Sequence, residues 1–194
     1  MSKSLAVKRS PRARDHLKQM TLLDVFRASA RDGDARTPAS GPVEDGDRTV
    51  TARSKQRRSG INEDALKRNL STDIASLMNT VRLDAVVPLD DTPYVKASVV
   101  NYGFRDMSSL AVNRRTHEAI ETELRQTLEN HEPRLSPASI EVRYPEESQL
   151  PDQRMTFDVT AEMLATPHDI PLDFLAEVDI GAGKVKTSRF RVQT

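Results

Sequence analysis

A carboxylate and a guanidinium stand two residues apart in Glu132-Pro133-Arg134, within the stretch ENHEPRL. A glutamate at a helix end could be the general acid of a glycosidase, which needs two carboxyl groups about 5–10 Å apart. The sequence singles out no second carboxylate, since several acidic residues are equally available: Asp90, Asp91, Glu141, Glu146 and Glu147. Arg134 would keep Glu132 ionised if the two pair, which is wrong for a proton donor. The triplet therefore favours an ion pair within the fold or at a partner over an active site.

Other catalytic and metal-binding patterns are incomplete. His117-Glu118 begins a zinc-protease-like helix pattern, but Glu121 stands where the second histidine would be. Gly183-Lys184 resembles the end of a phosphate-binding loop, but the upstream glycine is missing and Val185 replaces the magnesium-binding Ser or Thr. The chain has no cysteine and no Gly-x-Ser-x-Gly elbow. We therefore predict no catalytic residue, no metal, no cofactor and no enzymatic activity.

Charge divides the 194-residue chain into a basic arm and an acidic body. Residues 1–60 carry 14 Lys and Arg against 7 Asp and Glu, whereas residues 61–194 carry 15 against 22. The basic cluster at 53–58 has no interleaved aromatic residues, so we predict no dedicated nucleic-acid binding. There is no secretory h-region and no apolar run long enough to span a membrane. These features predict a cytoplasmic protein without membrane insertion.

The N-terminal arm contains one amphipathic island at residues 15–27. Its apolar bulk comes from Leu22, Leu23, Val25 and Phe26. Residues 28–60 lack periodicity and are rich in glycine, proline and charge, which is typical of a flexible linker. The sequence thus predicts a docking segment at 1–28, a linker at 29–60 and a folded domain at 61–194. A first helix lying on the domain is an equal alternative for the island.

Two amphipathic helices are predicted in the body. Asn62 can cap the first helix, whose apolar stripe is Leu66, Leu70, Ile74, Leu77 and Val81. The second helix runs from about Arg115 to Asn130, with Ile120, Leu124 and Leu128 as its stripe. It must end at or before Glu132, because Pro133 disfavours the α conformation at the preceding residue. Between the helices, residues 94–100 could be extended.

After the second helix the apolar period changes to two, which predicts strands. The alternating sets are Ile140, Val142 and Tyr144; Phe157, Val159 and Ala161; and Phe174, Ala176, Val178 and Ile180. Gly181-Ala182-Gly183 predicts a hairpin leading to residues 185–192. Helices followed by strands indicate an α+β fold, with N-terminal helices packed on a small, largely antiparallel C-terminal sheet.

Three stretches in series resemble one protein family. They are DIASLMNTVR at 73–82, SVVNYG at 98–103 and EPRL at 132–135. Their order, with the strand-rich tail, resembles TssE, the small baseplate subunit of the type VI secretion system, which is related to a wedge protein of contractile phage tails. TLLDVF at 21–26 is similar to the short N-terminal motif of that family. Val81 and Phe104 depart from the residues usual at those positions in the family.

The resemblance implies assembly more than catalysis, although the family has carried a lysozyme-like label. TssE-like subunits lie in the wedge with TssF and TssG, near TssK, and connect the baseplate to the sheath of TssB and TssC. It implies partner binding by Glu132, Pro133 and Arg134 and by Leu22, Leu23, Val25 and Phe26. The remaining motif residues are expected to stabilise turns and helix ends: Asp73, Asn79, Asn101, Tyr102 and Gly103. A cell-wall glycosidase using Glu132 and an adaptor binding through its acidic face stay as alternatives.

Overall fold

The computed structural model of the chain describes residues 17–31, 33, 60–107, 115–145, 149–150 and 154–191. Contacts divide the chain into two compact units, Met1–Leu66 and Lys67–Thr194. Most of the predicted linker, including the basic cluster at 53–58, lies outside the described residues. No helix in the described ranges is both long and apolar enough to cross a membrane.

The first unit contains a short helix and a two-stranded ribbon. Strand β1 (Leu17–Lys18) pairs antiparallel with β2 (Ile61–Asn62), a pairing that the sequence did not predict. Helix α1 covers Leu22–Arg31, so it begins later than the predicted island and continues past residue 28. The Thr21 hydroxyl donates to an Asp24 carboxylate oxygen at 2.6 Å and accepts from the Asp24 amide at 3.2 Å. This reciprocal capping of Thr21 and Asp24 fixes the start of α1.

Helix α2 covers Glu63–Met78 and begins at the predicted cap. The Ala65 amide donates to the Asn62 side-chain oxygen at 2.8 Å, which satisfies one free amide of the first turn. Four of the five predicted stripe residues are buried, namely Leu66, Leu70, Ile74 and Leu77. The assignment of Val81 to that stripe is wrong: the helix ends before it, and Val81 is exposed and forms a parallel bridge with Phe104.

The connection after α2 is built from short helical turns, so the extended conformation predicted for residues 94–100 is wrong. It contains a 3₁₀ turn at Leu83–Ala85, helix α3 at Pro93–Lys96 and a second 3₁₀ turn at Val99–Asn101. Proline is favoured in the first turn of a helix, because the amide that it lacks would have no helical partner there. The Thr92 carbonyl accepts from the amides two and three residues after Pro93. Local bonding therefore outweighed the β-branched composition.

Helix α4 covers Thr116–His131 and ends where Pro133 predicted. Its stripe residues Ile120, Leu124 and Leu128 are completely buried. The Glu132 amide makes the last helical bond, to the Leu128 carbonyl at 2.9 Å. The end of this helix therefore fixes where the Glu132-Pro133-Arg134 triplet begins.

The second unit ends in an antiparallel sheet. Its strands are β3 (Glu141–Arg143), β4 (Gln149–Leu150), β5 (Arg154–Met163), β6 (Ile170–Asp179) and β7 (Lys184–Arg191). The order is β3-β5-β6-β7, and β4 also pairs with β5. Inward and outward side chains alternate along β5 and β6, as the period of two predicted, and Phe157 lies opposite Ala176 in the core. The predicted α+β class, with helices followed by an antiparallel sheet, is confirmed.

Candidate functional site

Residues from the three motif stretches meet at one place in the second unit. Asp73 comes from α2, Tyr102 from the end of the second 3₁₀ turn, and Glu132 and Arg134 from the chain just after α4. We call Asp73, Glu132 and Arg134 the charge cluster. The charges of all three residues of the charge cluster affect the pKa of Tyr102. The structure thus brings together residues that are up to 61 positions apart in the sequence.

The Arg134 guanidinium is the centre of the charge cluster. Its Nε donates to Glu132 Oε1 at 2.7 Å and its Nη2 donates to Glu132 Oε2 at 2.6 Å, a two-point contact that suits a planar guanidinium. The same Nη2 donates to Asp73 Oδ2 at 2.6 Å. The Arg134 amide adds a further bond to Glu132 Oε1 at 3.2 Å. The pair left open by the sequence therefore closes within the subunit and links the end of α4 to α2.

The cluster is largely withdrawn from water. The Glu132 side chain is 5% exposed, while Arg134 and Asp73 are 18% and 20% exposed. Burial disfavours the charged guanidinium, but hydrogen bonds and charges from Glu132, followed by those from Asp73, outweigh it. The pKa of Arg134 is consequently raised above its already high ordinary value. Arg134 is a permanent cation, held by two carboxylates of the same chain.

Two aromatic rings lie beside the cluster. Burial raises the pKa of the Tyr102 phenol, and the charges of Asp73 and Glu132 raise it further, against smaller lowering effects from Ser76 and Arg134. The Tyr102 ring meets the His131 ring edge-on, with centroids 5.6 Å apart. Burial, and secondarily the charge of Arg82, lowers the pKa of the His131 imidazole. Tyr102 and His131 thus pack as neutral rings against the charged centre.

Main-chain bonds hold the triplet against the sheet. Leu135, which is 1% exposed, forms an antiparallel bridge with Met163 at the end of β5. The Leu164 amide donates to the Arg134 carbonyl at 2.8 Å, and the Ser136 amide donates to the Glu162 carbonyl at 2.9 Å. The backbone of residues 134–136 therefore continues the β5 ladder, which fixes the position of the Arg134 side chain.

Asn79 and Gly103 join separate parts of the fold. Asn79 bonds locally to the Ala75 carbonyl, but its amide group also donates to the Val185 carbonyl at 2.8 Å and accepts from the Val185 amide at 3.3 Å. A Cβ atom at Gly103 would lie 2.3 Å from the Thr80 carbonyl oxygen, and the φ angle of Gly103 is +132°. Only glycine fits that position without strain.

A second buried polar group was not predicted. Arg82 Nη1 lies 2.8 Å from Glu123 Oε1 of α4, and Arg82 Nε lies 3.2 Å from Asp84 Oδ1. The Asn101 side chain accepts from the Asp84 amide at 3.0 Å and donates to the Lys96 carbonyl at 3.0 Å. These bonds close the connection between α2 and α4. The residues that make these bonds have no characteristic spacing in the sequence, so no pattern could predict them.

The geometry does not suit acid catalysis at Glu132. Asp73 Oδ2 and Glu132 Oε2 each lie 2.6 Å from the same nitrogen, so they are no farther apart than twice that distance. Such a separation resembles that of a retaining glycosidase, about 5 Å. However, the Arg134 guanidinium donates to both oxygens and occupies the space between them, where a glycosidic bond would have to lie. No group of three potential metal ligands occurs in the described ranges, and His117 stacks on Tyr144 at 5.1 Å.

The predicted docking residues of the N-terminal arm lie on different sides of α1. Leu22, Leu23 and Phe26 are exposed, while Val25 is 3% exposed. Val25 is therefore buried, and the exposed apolar stripe of α1 consists of the other three.

Comparison with protein-family models identifies a baseplate family. The model described as baseplate wedge protein gp25 matches residues 64–168, more than half of the chain. Comparisons with curated proteins and with solved structures give no significant match. The matched region contains the charge cluster, Tyr102 and the loop that carries it. The chain therefore belongs to the gp25 family of baseplate wedge proteins and has the structural role of a phage-tail-like baseplate component.

Proposed function

We propose that this chain is the TssE-type subunit of a type VI secretion baseplate and has no enzymatic activity. In this role it joins the wedge subunits TssF and TssG, near TssK, to the sheath proteins TssB and TssC and helps to start sheath assembly. The wedge complex would place it in the cytoplasm, at the inner face of the cell envelope. Membership of the gp25 family and the three motif stretches support this assignment.

The observation that carries the proposal is the unused donor capacity of Arg134. Nε and Nη2 are committed to Glu132 and Asp73, whereas Nη1 has no hydrogen bond in the described part of the chain. A guanidinium has five N–H donors in a fixed plane. Glu132 and Asp73 therefore orient Arg134 so that Nη1 can donate to a carbonyl or carboxylate of a wedge or sheath subunit. Pro133 restricts the backbone between the two charged residues.

The exposed apolar stripe of α1 provides a second contact. Leu22 and Phe26 stand four residues apart, so they share one helix face, and Leu23 extends it. An amphipathic helix commonly binds by laying such a face into an apolar groove. We assign this stripe to a wedge subunit.

A sheet edge provides a third contact. In the described ranges β7 pairs only with β6, and the outward main chain of Val185 is occupied by Asn79. Thr187, two residues on, faces the same edge because main-chain groups alternate along an antiparallel strand. We propose that an extended sheath segment adds a strand next to Thr187.

Binding to purified TssF–TssG from the same gene cluster tests the proposal. Arg134→Lys keeps the charge but loses the planar fork, so it should weaken binding by about tenfold, corresponding to one charge-assisted hydrogen bond. Arg143→Ala is the matched control, because Arg143 is 77% exposed and among the described residues pairs with Glu141 alone. Failure of the wild-type chain to bind would reject the proposal. Equal binding by Arg134→Lys would reject the role of Nη1.

The α1 contact has its own test in the same assay. Leu22→Ser with Phe26→Ser should abolish most of the α1 contribution while leaving the melting temperature unchanged, since both side chains are exposed. Ala119→Ser, at an exposed position on α4 away from α1 in the sequence, serves as the control. Unchanged binding by the α1 variant would exclude the stripe as a docking surface.

The glycosidase alternative is tested on cell-wall fragments. The purified chain should release no soluble saccharide, because the Arg134 guanidinium occupies the space between the two carboxyl groups. Turnover that disappears in Glu132→Gln would establish the enzyme and reject the structural assignment.

A further inference from the structure

The connection between α2 and α4 presents apolar side chains to solvent from a closed loop. Between Val86 and Val100, six large apolar residues of this connection are exposed: Val86, Val87, Tyr94, Val95, Val99 and Val100. Tyr94 is 91% exposed, and Val86 and Val99 are each 83% exposed. We call these six residues the loop patch. They form the majority of the exposed large apolar residues in the described ranges.

The loop that carries the patch is held in place by hydrogen bonds. At its neck, the Phe104 amide donates to the Thr80 carbonyl at 2.7 Å, and the Arg82 amide donates to the Phe104 carbonyl at 3.1 Å. Inside the loop, the buried Asn101 side chain joins Asp84 to Lys96. Leu89 is the one large apolar residue between Val86 and Val100 that is buried. The loop is therefore organised around polar bonds and keeps its apolar residues outward.

The exposure of the loop patch indicates a contact with another protein. Several exposed apolar side chains on one short loop often mark a protein contact, and a loop held by a rigid framework is a common place for one. The loop patch also leads directly into Tyr102, which packs beside the charge cluster. A partner that reaches Arg134 Nη1 would thus lie next to the same loop.

The charge around the patch indicates the chemistry of that partner. Residues 83–102 contain three acidic residues, Asp84, Asp90 and Asp91, and one basic residue, Lys96. Arg82 pairs with Asp84 and Lys96 pairs with Asp90, whereas Asp91 has no ion pair among the described residues. A complementary segment would be apolar and would bring a lysine or arginine to Asp91. A second copy of this chain fits less well, because its own loop carries the same acidic excess and would complement this one less than a basic partner does.

We propose that the loop patch docks an apolar segment of a neighbouring baseplate subunit that carries a basic residue opposite Asp91. This proposal rests on the proposed function for the origin of the partner. Tyr94 and Val99 are the anchors, since they are the most exposed members on the two helical turns of the loop.

The test uses the full-length chain and purified TssF–TssG. Tyr94→Ser with Val99→Ser should weaken binding by about 30-fold, as truncating a central anchor does. Asp91→Lys should also weaken it. Tyr94→Phe with Val99→Ile keeps the apolar surface and is the matched control, which should bind like the wild type. Both anchors are exposed, so all variants should keep the wild-type melting temperature.

The absence of cysteine makes a direct readout possible. The single thiol introduced by Tyr94→Cys should be alkylated in the complex at less than about a tenth of its rate in the free chain, because an interface core is withdrawn from water. Ala119→Cys, at an exposed position on α4, is the control and should react equally in both states.

The outcomes separate the two proposals. Wild-type binding with an unprotected thiol at position 94 and an unaffected Ser variant would overturn the loop contact and leave the proposed function intact. No wild-type binding would overturn both. A concentration-dependent dimer in light scattering that protects the same thiol would identify a second copy as the occupant and overturn the heterologous partner.

Discussion

Replacing Arg134 by alanine should destabilise the second unit substantially. The substitution removes three side-chain bonds and leaves Glu132, which is 5% exposed, without its counter-charge. Asp73 loses its bond to Nη2 in the same step. The main-chain bonds of residues 134–136 to the end of β5 remain. The loss of stability therefore measures the contribution of the charge cluster itself.

The expected size follows from burial. Breaking a fully buried pair by removing one partner costs about 3–5 kcal/mol, because a charge is stranded. Arg134 and Asp73 are each about one-fifth exposed, so water offsets part of that loss. We expect a decrease in the free energy of unfolding of about 2–4 kcal/mol. For a unit of this size, this corresponds to a fall in melting temperature of about 10 °C.

Urea unfolding of three variants measures the effect. Arg143→Ala removes an ion pair that is mostly exposed, so it should cost less than about 0.5 kcal/mol. Glu132→Gln combined with Arg134→Met leaves no stranded charge at residue 132 and should recover part of the loss of Arg134→Ala. Unfolding of Arg134→Ala at the same urea concentration as the wild type would show that the charge cluster does not hold α4 to α2.

Three further predictions follow from the surroundings of the cluster. The pKa of His131 is lowered in the folded chain, so the unfolded chain binds a proton at this imidazole more readily. Stability should therefore fall as pH decreases below about 6.5, and His131→Gln should flatten that part of the plot of urea midpoint against pH. Gly103→Ala should cost at least about 3 kcal/mol or prevent folding, since its methyl group would collide with the Thr80 carbonyl at a positive φ; a wild-type melting temperature would contradict this. Asn79→Ala should cost about 1–2 kcal/mol by removing both bonds to Val185, and it should accelerate hydrogen exchange of the Val185 amide, with an unchanged rate as the contrary result.

Elements with a strong local signal could be predicted from the sequence. Asn62 capped α2, the spacing of Ile120, Leu124 and Leu128 identified α4, and Pro133 marked its end. The period of two gave the long strands, because one face of the sheet is buried. These features depend on residues close together in the chain.

The errors arose where distant contacts or local bonding decide the structure. Val81 continues the helical period of α2, but its backbone pairs with Phe104, which no local pattern reveals. Residues 94–100 are rich in valine, yet Pro93 and the Thr92 carbonyl start a helical turn there. The pairing of Arg134 with Glu132 was suggested by their spacing, whereas the bond to Asp73 spans 61 residues and required the fold.

The role of the chain in a contractile baseplate is tested most directly by imaging a fluorescently labelled sheath in the bacterium that encodes it. Deleting the gene should abolish sheath assembly, and the wild-type chain supplied in trans should restore it. Glu132→Gln keeps the shape of the side chain but weakens the charge cluster. It should therefore restore sheath assembly only in part. Sheaths of normal number and length in the deletion strain would contradict the account.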